Sequence, residues 1–308
     1  MTVLISKLPA TAAHQDRWLG LMPAVEARMQ GLLNSGKPQQ LLSPNLAQQA
    51  AAYHLNSGGQ RIRARIAAHA CTALGVLPGD GVCLAAAAEL VHNASLIHDD
   101  LQDRDTTRHG IDSVWVAFGD GVAICAGDLL LSAAYAAIAG VRHPHLLPAL
   151  IALLHGSIAR ASAGQTIDLA PQHVPAASLS SYEHLATLKS GSLLSLPLEL
   201  SLVAAGQPQS VPVAQTVANA FAIGYQIFDD LNDVQKDASR QRLHPAINAV
   251  EVASRQHTGG DARSVVKQMA VRHLDEAAEA SLSLPSNCGQ LLRSLSLDLR
   301  QRLVSEPL

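Results

Sequence analysis

Six aspartates in two matching sets are the residues of this chain best suited to chemistry. Asp99-Asp100-Leu101-Gln102-Asp103 is answered 130 positions later by Asp229-Asp230-Leu231-Asn232-Asp233. Each set places carboxylates at i and i+4, positions that share one face of an α-helix. Like charges at that spacing repel, so an isolated helix gains nothing from them. The arrangement makes sense where a cation lies between two such faces. Carboxylate oxygens suit Mg²⁺, which completes its shell with water and substrate phosphates. The pair of sets therefore predicts a diphosphate held between aspartate-rich helices by bridging magnesium. A calcium-binding EF-hand loop is excluded, because its central glycine is missing from both sets. For either set alone the plain reading is a solvated acidic face. The apolar lead-ins Leu96-Ile97-His98 and Ile227-Phe228, and the repetition itself, argue against that.

Such faces need helices to carry them, and helical periodicity runs through the chain. It predicts helices at 14–34, 44–55, 60–75, 80–102, 115–140, 144–163, 178–205, 210–235, 245–257, 261–282 and 286–304. No segment alternates like a strand flanked by hairpin turns. Proline and glycine fall between these stretches or in first turns, as at Pro78-Gly79, Pro144, Gly206 and Pro285. None of the breaks is long enough to link two domains. Because the acidic sets must meet in space, one all-α domain over residues 1–308 is expected. The flanks of the two sets differ, so they are not a fold-level repeat.

Composition agrees. Of 308 residues, 48% are hydrophobic and 15% charged, which favours a large buried core over disorder. Aromatics are 3%, so that core is built of Ala, Leu, Val and Ile. A formal net charge of -3 gives no sign of a nucleic-acid partner. Cys71, Cys83, Cys125 and Cys288 form no CxxC pair and are expected as reduced, buried thiols. Residues 1–10 lack a signal pattern. The apolar stretches are interrupted by His, Asp or Gly and read as too short to span a bilayer, so no integral membrane segment is expected. A cytoplasmic protein follows as the expectation.

Several motifs stand in a fixed order around the aspartates. They are Gly58-Gly59-Gln60-Arg61-Ile62-Arg63, His92 through Asp100, Arg108-His109-Gly110, Gly127-Asp128-Leu129-Leu130, Gly164-Gln165-Thr166-Ile167-Asp168-Leu169, Lys189-Ser190-Gly191 and Gly224 through Asp230. With these the chain resembles the trans-isoprenyl diphosphate synthase (polyprenyl synthetase) family, from about Gly58 to the C-terminus. The resemblance implies an antiparallel helical bundle around a deep central cavity, as a homodimer. It implies that magnesium joins both acidic sets to an allylic diphosphate, whose C–O bond ionises. The double bond of isopentenyl diphosphate then attacks the allylic cation, and proton loss completes elongation. By the same resemblance Asp99, Asp100, Asp103, Asp229, Asp230 and Asp233 are metal-binding acids. Arg108 and Lys189 contact the allylic diphosphate, and Gln226 lies near the metal. Ser190 stands where the family usually has Thr, beside the carbocation. Arg61 and His92 hold isopentenyl diphosphate.

The departures from the family pattern fall on one substrate. Gln60 replaces the usual lysine, and His109 replaces the second arginine of an Arg-Arg-Gly run. Both positions belong to the isopentenyl diphosphate site. Gln brings no charge, and neutral His at most one donor. After Asp233 the usual loop is shortened to 234–243, with Lys236, Arg240 and Arg242 as its cations. Below the first set, Ala94 and Ser95 occupy positions where short-chain members tend to carry a bulky aromatic floor, which implies an open cavity. Val91 and Ala87, one turn further down, are also modest in size. Three readings follow, in this order. The first is a prenyltransferase making a medium or long prenyl diphosphate. The second is a terpene-synthase-like lyase that needs no isopentenyl diphosphate. The third is a non-catalytic partner subunit of a synthase.

Overall fold

Helices make up nearly all of the described chain, which is all-α as the periodicity predicts. The computed structural model describes residues 18–34, 45–169, 178–237, 247–256 and 261–305, the side chains of 233–237 excepted. These fall into two compact units. The first runs to Leu154 and includes Leu200–Gly206; the second comprises His155–Glu199 and the chain from Gln207 onward.

The first unit is built around α4 (Pro78–Asp103), packed on α3 (Ile62–Ala73) and α6 (Asp120–Ile138), with α1 (Met22–Asn34) and α2 (Leu46–Asn56) against them. Pro78 starts α4 where its missing N–H costs nothing. Ala85, Ala86, Ala87 and Ala88 are all buried in its middle. Small side chains bring helix axes close, which is how an aromatic-poor sequence fills its core. At its C-terminus Arg104 turns left-handed and the Asp105 N–H reaches the Asp100 carbonyl, closing the helix just after the first acidic set. Three aspartates in a C-terminal turn oppose the helix dipole. The fold accepts that cost at this end of α4.

A hairpin follows, which the periodicity did not predict. Two two-residue strands, β1 (Thr107–Arg108) and β2 (Ile111–Asp112), pair antiparallel, with Arg108 opposite Ile111. Their loop is His109-Gly110, both at positive φ (53° and 84°), as a tight two-residue hairpin requires. The signal was too short to read as strand alternation. The helix expected over 115–140 is also two, α5 (Val114–Phe118) and α6, because Gly119 at φ 88° breaks it.

In the second unit the stretch expected as one helix over 178–205 divides into α8 (Leu179–Ala186), a π-helical turn (Thr187–Gly191) and α9 (Ser192–Ala204). Before them runs α7 (Leu147–Leu169), whose first residues belong to the first unit. After them come α10 (Val211–Asp237), α11 (Ala249–Gln256), α12 (Ala262–Ala280) and α13 (Gln290–Ser305). The chief packing of this unit is α10 on α12, where Gly224 lies against Leu274, and α12 on α13.

Two further expectations are corrected. Cys71, Cys83 and Cys288 are buried free thiols, but Cys125 is exposed on α6. By length and apolarity alone, Asp120–Ile138 and Pro144–Leu169 are each sufficient to cross a bilayer, because a continuous helix absorbs the His, Asp and Gly that interrupt the linear pattern. Within the first unit α6 buries Ala123, Ala126, Leu130, Ala134 and Ile138, the behaviour of a core helix.

Candidate active site

The two acidic sets share an internal division of labour. In each, the first aspartate (Asp99, Asp229) is half-buried, whereas the second (Asp100, Asp230) is buried and bound by its own unit.

In the first unit the hairpin carries Arg108 back to α4. Its Nε donates to both oxygens of Asp100 (3.0 and 3.2 Å), and an Nη donates to Oδ1 as well. Burial raises the Asp100 carboxyl, and Arg108 partly offsets this. The same pairing pushes the Arg108 guanidinium up despite burial. Tyr53 fixes the hairpin by donating to the Asp112 carbonyl at 2.9 Å. His98, just before the first acid, lies in the notch left by Gly127 on α6, where a Cβ would overlap the imidazole.

The residues assigned to isopentenyl diphosphate gather at the start of α3. Gly58 and Gly59 have φ of 104° and 103°, a conformation only glycine adopts freely. Arg61 caps α3 at φ 51°. Its Nε donates to Glu26 at 2.7 Å, one Nη reaches Asn93 Oδ1 at 3.5 Å, and the other donates to the Leu55 carbonyl. Arg63 lies 2.8 Å from His92 Nε2. An arginine can only donate, so that nitrogen accepts and the proton sits on Nδ1. Burial, then Arg63, holds His92 well below its ordinary range, so it is neutral near pH 7. His109 is also pushed down, by burial and then by Arg108 and Arg61. Gln60 Oε1 is buried without a hydrogen-bond partner. Buried Glu89 secures the corner, accepting from the Ala64 N–H at 3.0 Å and from Asn93 Nδ2 at 3.1 Å.

In the second unit the π turn places Lys189 and Ser190. Lys189 Nζ donates to Asp168 Oδ2 at 2.6 Å, both groups being largely shielded. The turn fits because α7 offers Gly164: a Cβ there would lie 2.5 Å from Lys189 N and 2.9 Å from its Cα. On the other side Gly191 sits against Asn219 of α10 without room for a Cβ. At Gly164 the contacts are with backbone, which no rotamer change relieves, whereas the atom nearest to Gly191 is the side-chain Oδ1 of Asn219. Gly164→Ala is therefore expected to cost about 1–3 kcal/mol of stability. It should also move Lys189, lowering turnover at least about tenfold. Melting temperature and kcat check this, and wild-type values for both would show that the turn tolerates the methyl.

Asp230 is the centre of this unit's acidic set. Its carboxylate accepts from Tyr182 Oη (2.8 Å), the Ala249 N–H (2.8 Å) and Gln226 Nε2 (3.2 Å). Burial lifts its pKa to about 6 even so. Tyr182 in turn is driven well up, by burial and then by the Asp230 charge. A Ser178–Ser181 capping box starts α8 and aims Tyr182. Asp233 lies in α10, but its side chain is outside the described residues; so are the side chain of Lys236 and all of Arg240 and Arg242.

The structure thus brings Asp100 to Arg108 and Gln226 to Asp230. It ties Arg61 to Glu26 and Lys189 to Asp168. Sequence reasoning gave no role to Glu26, His54, Glu89, Asp168 or Tyr182. Asp168 had a signal, one helical turn beyond Gly164 inside a quoted motif. Glu26 and Tyr182 had none, since only the fold brings them to their partners. The carboxylates are hard oxygen donors of the kind Mg²⁺ takes. Among the described residues no three His, Cys, Asp or Glu groups converge to hold a metal by themselves. Mg²⁺ does not require such a cage, since it keeps water and phosphate oxygens in its shell.

The polyprenyl synthetase family description matches residues 44–242, and the chain belongs to that family. It is 30% identical over 252 residues to the farnesyl diphosphate synthase of Escherichia coli, covering 73% of this chain and 83% of that one. The short chain isoprenyl diphosphate synthase of Methanothermobacter thermautotrophicus is 29% identical over 197 residues. That match covers 64% of this chain and 61% of that protein, so the chain spans about three fifths of the length of such relatives. Among solved structures, a geranylgeranyl pyrophosphate synthetase from Geoglobus acetivorans superimposes with a TM-score of 0.79. That superposition, at 22% identity, covers 96% of this chain and all of that one, and it shows the shared fold. An isoprenoid synthase family member from Thermotoga neapolitana is 26% identical, with a TM-score of 0.71 over 92% of this chain and 98% of that one.

Proposed function

We propose that this chain is a magnesium-dependent trans-prenyltransferase. It condenses an allylic prenyl diphosphate with isopentenyl diphosphate to give a medium or long prenyl diphosphate, its two units acting as a single isoprenoid-synthase domain. The observation that supports this reading best is the shared division within the acidic sets. In both, a buried aspartate is held by protein groups while its neighbour stays half-buried. Asp99, Asp103, Asp229 and Asp233 are the acids for Mg²⁺; Asp100 and Asp230 fix the backbone and side chains around them. When bound, the metal neutralises diphosphate charge and favours departure of the leaving group. Arg108 and Lys189 add charge-assisted hydrogen bonds to the leaving oxygens. Asp100 and Asp168 hold those two cations in place beforehand, so little reorganisation accompanies reaction. Ser190, beside Lys189, offers its hydroxyl dipole to the allylic cation. Arg61 and His92 hold the diphosphate of the second substrate. The isopentenyl double bond attacks the allylic carbon as pyrophosphate departs, and loss of a proton from the resulting cation gives the elongated diphosphate.

The test is incubation of the protein with Mg²⁺ and labelled farnesyl diphosphate, with and without isopentenyl diphosphate. Elongated diphosphate is expected only with both. A second reading, the lyase, is favoured by one observation: Arg61 is already paired with Glu26, beside a glutamine that carries no charge. Hydrocarbon or alcohol formed without isopentenyl diphosphate selects it.

Chain length is proposed to rest on the α4 turn that carries Ala94 and Ser95, five and four residues before Asp99, where Ser95 is part-exposed and Ala94 packs fully buried beside it. Ala94→Phe is expected to shorten the longest product seen by mass spectrometry. An unchanged range would place the floor elsewhere. We further propose a homodimer. Ile124 on α6 and Ile151 on α7 are 49% and 41% exposed, apolar surface of the kind a second copy covers. Light scattering should give twice the 32.3 kDa chain mass.

A further inference from the structure

His54 occupies an unusual position. It is 3% exposed, on α2, and its Nε2 is buried with no hydrogen-bond partner. Asn93, which accepts from Arg61 Nη1, is the neighbour that favours a proton on the His54 ring. Arg108, His109 and Arg61 are its charged and titratable neighbours. His109 comes from the hairpin to stand over Gly59, where a Cβ would meet its Nε2 at 3.3 Å and Arg61 Nη1 at 3.7 Å. One missing side chain thus lets an imidazole and a guanidinium converge. Around this cluster lie Arg63 and Gln60 at the start of α3, Glu26 on α1, Glu89 and His92 on α4, and Asp100 paired to Arg108.

We propose that His54, His109 and Arg61 form a proton-coupled diphosphate subsite, in which the histidines take up a proton from solvent as the anion binds. This rests on the reading above that Arg61 helps hold isopentenyl diphosphate, and it names the groups that replace the missing cations. Both histidines stay neutral while the site is empty: burial, then Arg108, holds His54 at about 3, and partial desolvation, then Arg108 and Arg61, lowers the more exposed His109. A diphosphate cancels the guanidinium charge and adds its own opposite charge, which favours the imidazolium. The orphaned Nε2 then has a proton to hold, and His109 becomes a charged donor. Gln60 cannot do this, because an amide does not titrate. Affinity consequently rises as pH falls, with a limit of tenfold per pH unit for one coupled proton.

The test is calorimetric binding of isopentenyl diphosphate without divalent metal, which leaves the acidic sets out. Titration at pH 7 in two buffers of different ionisation enthalpy counts protons. The diphosphate's own titration is common to every variant, so differences between proteins report the histidines. Wild type should take up more protons than His109→Gln and His54→Gln, and should gain several-fold in affinity between pH 8 and pH 6 beyond either variant. His109 is exposed, so its variant reports even if the buried His54→Gln fails to fold. Equal uptake and pH dependence in wild type and His109→Gln would overturn the proposal while isopentenyl diphosphate binding, and the transferase reading, stood. Failure of isopentenyl diphosphate to bind at any pH, with allylic diphosphate still turned over, would overturn both.

Discussion

Replacing Asp99 or Asp229 with alanine is expected to lower turnover of an allylic diphosphate by about a hundred- to a thousandfold while the fold persists. The loss corresponds to about 2.7–4 kcal/mol of transition-state stabilisation, at about 1.36 kcal/mol for each factor of ten. Both side chains are half-buried beside a second aspartate, and Asp99 also lies near the C-terminal end of α4, whose dipole it opposes, so removing either charge costs the fold little. Asp100→Ala is the contrasting variant. It strips Arg108 of a partner that is 1% exposed, and breaking a buried pair costs about 3–5 kcal/mol. Arg108 is itself 28% exposed, which places the expectation at the lower end. Circular dichroism melts and turnover of labelled substrate therefore separate the two roles. Asp99→Ala should lose rate and keep its melting temperature; Asp100→Ala should lose both. Normal turnover in Asp99→Ala or Asp229→Ala would remove the metal-binding reading.

The second large effect concerns the substrate that the departures touch. Gln60→Lys combined with His109→Arg is expected to lower the KM for isopentenyl diphosphate by about a hundredfold or more. Each charge-assisted contact to a diphosphate is worth about 1.5–3 kcal/mol, and about 1.4 kcal/mol is a factor of ten. The rate of allylic ionisation should change little, since Arg108, Lys189 and the acids are untouched. His109 is at φ 53°, a left-handed position that histidine enters more readily than most residues. An arginine there is expected to lower stability by about 1 kcal/mol. Fixed charge at position 109 would also remove the share of the pH dependence that His109 contributes, leaving that of His54 and of the diphosphate itself, which links this variant to the proton-coupled subsite. Titrating isopentenyl diphosphate against fixed allylic substrate reads the effect. A low wild-type KM that the double variant leaves unchanged would mean that Arg61, His92 and their neighbours already suffice.

By itself the sequence determined the helical class, the two acidic sets and the order of motifs around them. Each of these is a local signal: apolar residues at helical spacing, carboxylates at i and i+4, a basic residue beside glycine. Its errors lie where local signal is short. A two-residue hairpin leaves no alternation to read, and a π turn at Thr187–Gly191 shares its composition with the helices on either side. Only tertiary structure decided which acids turn inward. Nothing in Asp-Asp distinguishes Asp99 from Asp100; the distinction comes from a hairpin that returns Arg108 to one of them. Likewise Asp230 is set apart by Tyr182 and the Ala249 N–H, 48 and 19 residues away in sequence. The state of the basic cluster was also beyond linear reading. Arg61 is matched by Glu26 from 35 residues upstream. His54 is silenced by burial among groups from three other segments, because charge and desolvation act through space and not along the chain.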